Sequence, residues 1–196
     1  MFKKLLSIAL GISMIFLSGC AGTKQIDKAS LAETVIVSEE NGQIYYTFYL
    51  LSGDETPYSI SVPSSSFKEA CKLAREKYIP ELTLTKFELY VLNENLQSDL
   101  LKKDVKFMSE QWYFSPNIYV TLCDNNTAEI FSYDKSAPEI VETHLIHLKN
   151  KVSNVSINSL SIFNNFSDNK TKELSVSYIN SEKEIKAEIL KLSTEK

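Results

Sequence analysis

LAETVIVSEENGQIYYTFYL, residues 31–50, decides the fold. Two β-branched and aromatic runs flank Asn41-Gly42, a pair that tolerates the positive φ angles a tight hairpin turn demands. The segment therefore predicts an antiparallel hairpin. Rings fall at Tyr45, Tyr46, Phe48 and Tyr49, and successive strand residues point to opposite faces. One face must be core, and the other is either covered by a helix or open to a partner.

Beyond the hairpin, Gly53, Pro57 and Pro63 bracket a short strand over 58–62. The period then shifts from two to near 3.6. Ser65 or Ser66 caps a helix that carries Phe67, Cys71, Ala74 and Tyr78 on one stripe, with Ala70 beside them, and that stops before Pro80. Residues 83–92 read as a strand, 96–112 as a helix with Leu100, Leu101, Val105 and Met108 inward, and 118–122 as a central strand. A helical turn is expected at 127–131, then a helix from Pro138 to about Lys151 with Val141, Leu145, Leu148 and Val152 on one face. A short helix over 160–166 and a strand over 174–179 follow. Ser181-Glu182-Lys183-Glu184 reads as a capping box opening a tail helix over 181–196, with Ile185, Ile189 and Leu192 as its apolar stripe. That stripe would dock on its own domain or serve as a handle for a partner. Interleaved strands and helices give an α/β (α+β) fold, a single domain over 31–180 with a mixed β-sheet flanked by helices.

Toward the N-terminus, residues 20–30 are small and polar and read as a tether. Ahead of them Lys3 and Lys4 precede a short apolar run, Leu5 to Leu17, closed by Leu17-Ser18-Gly19-Cys20. This is a lipoprotein signal peptide over 1–19, with Cys20 as the lipidation site that takes a diacylglyceryl thioether and becomes the new N-terminus. The run is shorter than the ~20 residues a spanning helix needs. Two acyl chains would hold the protein on the outer face of the cytoplasmic membrane.

The chain has 196 residues and a formal charge of −4, with no basic stripe, which argues against nucleic acid as a partner. Besides Cys20 there are Cys71 and Cys123, both in apolar patterns; they are core thiols or a single bridge. His144 and His147, the two histidines, stand i, i+3 on a helix near Glu139 and Glu142. Two imidazoles on the polar edge of a helix with a complete apolar stripe are solvated side chains, so no metal is predicted there. No phosphate loop, nucleophile elbow, HExxH or paired CxxC occurs, so neither a catalytic residue nor a cofactor is predicted. Trp112-Tyr113-Phe114 beside Pro116 is either a lid on the core or an interaction surface.

Four segments carry a family resemblance: Ser66-Phe67-Lys68-Glu69-Ala70, Tyr90-Val91-Leu92-Asn93-Glu94-Asn95-Leu96, Ile118-Tyr119-Val120-Thr121-Leu122 and Ala128-Glu129-Ile130-Phe131. In this order, behind a lipobox, they resemble the N-terminal domain of the Ger(x)C family, the lipoprotein C subunit of spore germinant receptors. Ala21-Gly22-Thr23 stand where members usually carry Trp-Asp and a basic residue, and Thr85-Lys86 where a Gly-His pair is common. The resemblance covers about residues 29–180 and lacks the family's C-terminal domain, as in a shortened relative or a piece of a longer gene. It implies a non-enzymatic component of a nutrient germinant receptor, partnered with integral-membrane receptor subunits at the spore inner membrane. A general cell-envelope binding or scaffold lipoprotein is the alternative.

Overall fold

The computed structural model describes residues 30–51, 58–96, 98–124, 137–152, 155–167, 173–180 and 185–191. The signal peptide, Cys20, the tether up to residue 29 and the turn expected at 127–131 lie outside the described residues. The hairpin forms as read: β1 (Ser30–Glu40) and β2 (Gln43–Leu51) pair antiparallel through Glu40↔Gln43, around Asn41 at φ 53° and Gly42 at φ 78°. Both turn residues take the left-handed region, which matches the turn to the twist of the strands.

From the hairpin the sheet grows in both directions. β3 (Tyr58–Pro63) adds antiparallel to β2, and β5 (Leu89–Asn93), β6 (Tyr119–Cys123) and β7 (Glu173–Ile179) add in parallel on the side of β1. The order is β3-β2-β1-β5-β6-β7-β8, with β8 over Ile185–Lys191 and the two-residue β4 (Leu82–Thr83) pairing with β1. The strand expected over 83–92 is thus two pieces. A turn closed by Phe87 N–H to Leu84 O at 3.2 Å separates them and drops Phe87 into the core.

The tail is corrected more fundamentally. Residues 185–191 are not a helix but β8 (Ile185–Lys191), antiparallel to β7 from Glu173↔Lys191 to Ile179↔Ile185. A helix this short gains little from propensity, whereas the open edge of β7 supplies a full row of backbone partners.

Four helices are described: α1 (Phe67–Lys77), α2 (Ser98–Glu110), α3 (Ala137–Lys151) and α4 (Ser159–Ser167). Among the described residues no helix is long and apolar enough to cross a membrane. Alternation along the strands makes two cores. Val35, Val37, Tyr46, Phe48, Tyr90, Leu92, Val120 and Leu122 face α1, α2 and α4. Ile36, Leu89, Val91 and Cys123 face Val141, Leu145 and Leu148 of α3. Tyr49 packs at the margin of this second core, while Tyr45 and Thr47 on the same face of β2 make exposed contacts with Gln43 and Ser61, so one face of β2 is core and the other is only partly covered. Fully burying one Val, Leu, Ile or Phe contributes about 1.5–3 kcal/mol, so both layers are substantial.

Candidate functional site

The first core centres on Phe67, which follows the N-cap Ser66 of α1. Its ring lies 6.0 Å from Tyr46, 5.5 Å from Phe87, 5.8 Å from Tyr90, 6.0 Å from Phe107 and 5.9 Å from Phe114, between centroids. Offset and edge-on aromatic pairs add about 0.5–1.5 kcal/mol each beyond the area they bury. Two of the segments that carry the resemblance therefore meet in one place, through Phe67 and Tyr90.

Asp104 is the polar heart of this cluster and is fully buried. Its Oδ2 accepts the hydroxyls of Tyr46 and Tyr90, each at 2.7 Å, and its Oδ1 accepts the backbone N–H of Phe67 at 2.9 Å. A carboxylate from α2 thus caps the first turn of α1, where the exposed N–H groups and the helix dipole favour negative charge. Burial pushes the Asp104 carboxyl above its ordinary value, against the three hydrogen bonds that favour the ionised form. The same burial and the neighbouring Asp104 hold the hydroxyls of Tyr46 and Tyr90 far above the ordinary phenol value. Both tyrosines therefore remain donors at any physiological pH. The arrangement fixes α1 against α2 and the sheet; its groups are held in protonation states suited to bonding one another.

Sequence reasoning missed Asp104, although it occupies the apolar stripe of α2 with Leu101, Val105 and Met108. A lone carboxylate at that spacing was the available signal.

Outside the pin, α1 and α2 leave a groove of about 530 Å³ floored by Phe107 and Tyr113 and edged by Lys68, Lys72 and Arg75. Lys72 pairs with Glu76 at 3.8 Å and Lys106 with Glu110 at 3.9 Å, both exposed i, i+4 pairs of small energetic weight.

The remaining candidates separate. His144 and His147 are both exposed on α3, and the described residues contain no group of three or more His, Cys, Asp or Glu side chains able to hold a metal. Cys71 and Cys123 are free and buried, so the bridge does not form. Tyr78 is not on the buried stripe of α1 but caps it at 51% exposure. The aromatic triplet divides: Phe114 is buried, Tyr113 is half-buried and Trp112 stands in solvent. Thr85 and Lys86 are exposed, and Ala128–Phe131 falls outside the described residues.

An α+β domain with helices on both faces and an aromatic cluster pinned by one buried carboxylate is the class that the geometry defines. The model of a protein family described as spore germination protein N-terminal domain matches residues 22–181. The chain belongs to that family and has a germination-related role. The match reaches from ahead of β1 to beyond β7, while β8 follows it. No curated protein matches the chain, and no solved structure does.

Proposed function

We propose that the protein is a membrane-anchored, non-catalytic component of a spore nutrient germinant receptor. Cys20 carries the lipid, residues 20–30 tether the domain to the outer face of the cytoplasmic membrane, which is the inner membrane of the spore, and the domain works with integral-membrane receptor subunits. One observation carries this reading: the family match opens at residue 22, directly behind Leu17-Ser18-Gly19-Cys20, so that the lipidation signal adjoins a germination domain. Acylation of Cys20 and a receptor role are tested together by Cys20→Ala in the spore-forming host. The variant is expected to leave the membrane fraction, to stop co-purifying with multi-spanning receptor subunits and to slow nutrient-triggered germination. An unmodified Cys20 in membrane-bound wild-type protein, shown by intact mass, would overturn the anchor. Unchanged germination with the domain deleted would overturn the role.

A further inference from the structure

Among the described residues, five large hydrophobic side chains are well exposed: Trp112 at 93%, Tyr78 at 51%, Leu160 and Ile146 at 45% and Tyr58 at 39%. Topology gathers four of them at one end of the sheet. β1 opens that end with Ser30, and β3 begins beside it, the Tyr58 hydroxyl lying 3.2 Å from Ser30 Oγ. α1 and α2 run back against the parallel strands, so both close at the same end, α1 on Tyr78 and α2 just before Trp112. Arg75 Nε donates to Leu82 O at 3.4 Å, and Leu82 is the β-partner of Ser30, which ties the last turns of α1 to the first residue of β1. Leu160 joins them at the start of β6, where its N–H donates to Pro116 O at 3.3 Å.

We infer that this end of the domain rests on the lipid bilayer surface, with Trp112, Tyr78 and Tyr58 at headgroup level. The inference rests on the anchoring of Cys20 proposed above. The ten residues 20–29 between the lipidated cysteine and β1 can reach no more than about 35 Å. The end that carries Ser30 is therefore the part of the domain held nearest the lipid. Tryptophan and tyrosine combine an apolar ring with a polar tip and favour the boundary between water and hydrocarbon.

Trp112 is the single tryptophan of the chain, which makes its fluorescence a reporter of this end alone. The acylated protein is reconstituted in vesicles of phosphatidylcholine and phosphatidylglycerol in equal parts. The expected result is a blue shift of the emission relative to the Cys20→Ala protein in buffer, loss of quenching by acrylamide, and quenching by lipids nitroxide-labelled near the headgroup. A Trp112→Phe, Glu40→Trp variant moves the reporter to the far end, where acrylamide quenching should persist and lipid quenching should be absent. Emission from Trp112 that stays fully quenchable by acrylamide, or equal lipid quenching at both ends, overturns the inference; a protein partner covering this end would give the first result. Intact mass reads the anchor separately. If Cys20 proves unmodified, the same measurement is made with its thiol coupled to a maleimide lipid, so the face stands or falls independently of the cell's own lipidation.

Discussion

At the scale of single residues, Asp104 joins three elements that are far apart in sequence. Asp104→Ala leaves the hydroxyls of Tyr46 and Tyr90 and the N–H of Phe67 without their acceptor in the core. A buried donor left unmet costs about 1–3 kcal/mol, so a loss of roughly 3 kcal/mol or more in urea unfolding is expected. Asp104→Asn keeps an acceptor and removes the buried charge, and pH separates the two effects. Because burial raises the Asp104 carboxyl, the folded chain holds that proton more tightly than the unfolded chain does. Its contribution to stability thus falls as pH rises from the ordinary carboxylate value, near 4, through the folded value, and returns as pH is lowered. The wild type should lose melting temperature relative to Asp104→Asn over that interval, and parallel curves would sink the assignment. Periodicity marks Asp104 as a carboxylate within an apolar stripe but could not reveal what it binds, since its partners come from β2, β5 and α1 and only the third dimension unites them.

At the scale of elements, what was legible depended on whether the signal was local. The β1–β2 hairpin was written in Asn41-Gly42, α1 in its Ser66 cap and α3 in a complete apolar stripe, and each lies where its pattern placed it. Residues 185–191 carry two patterns at once: Ile185 and Ile189 at helical spacing, and Ile185, Ala187, Ile189 at every second position. The neighbouring edge of β7 decides between them. Removing residues 185–196 should therefore cost more than a frayed tail would, and expose an unpaired strand that invites self-association. Lower melting temperature together with a concentration-dependent shift in size-exclusion chromatography is the expected outcome; a monomer that melts like the full chain would refute the role of β8. Within β1, the register shifts between Ala32 and Thr34, and the buried Thr34 Oγ1 has no hydrogen-bond partner. Thr34→Val keeps the shape and removes the unmet hydroxyl. It should raise stability by about 1 kcal/mol, read as a higher urea midpoint at unchanged slope.

At the scale of the whole molecule, the sheet is a partition. Cys71 on α1 belongs to the core shared with α2 and α4, while Cys123 on β6 faces α3 on the other side. In an oxidising compartment two thiols on one face would be free to pair; here β-strand alternation keeps them in separate layers. Reactivity is suppressed as well as pairing. Burial pushes the Cys71 thiol well above its ordinary value and the Cys123 thiol up to about 12, the latter with help from Asp124 and Glu94. Since the thiolate is the nucleophile, neither should react at neutral pH while the fold is intact. In the Cys20→Ala chain, a maleimide reagent is therefore expected to label neither cysteine rapidly in buffer and both at once in denaturant, and refolding under mild oxidant should give no intramolecular bridge. Rapid labelling of native Cys123 alone would show that the α3 layer opens independently of the larger core. Labelling of both at one slow rate would instead mean that the two layers open together, with the sheet as the common unit. The second result is expected, because β1, β5 and β6 contribute residues to both cores and neither layer can part from the sheet without uncovering strands that support the other.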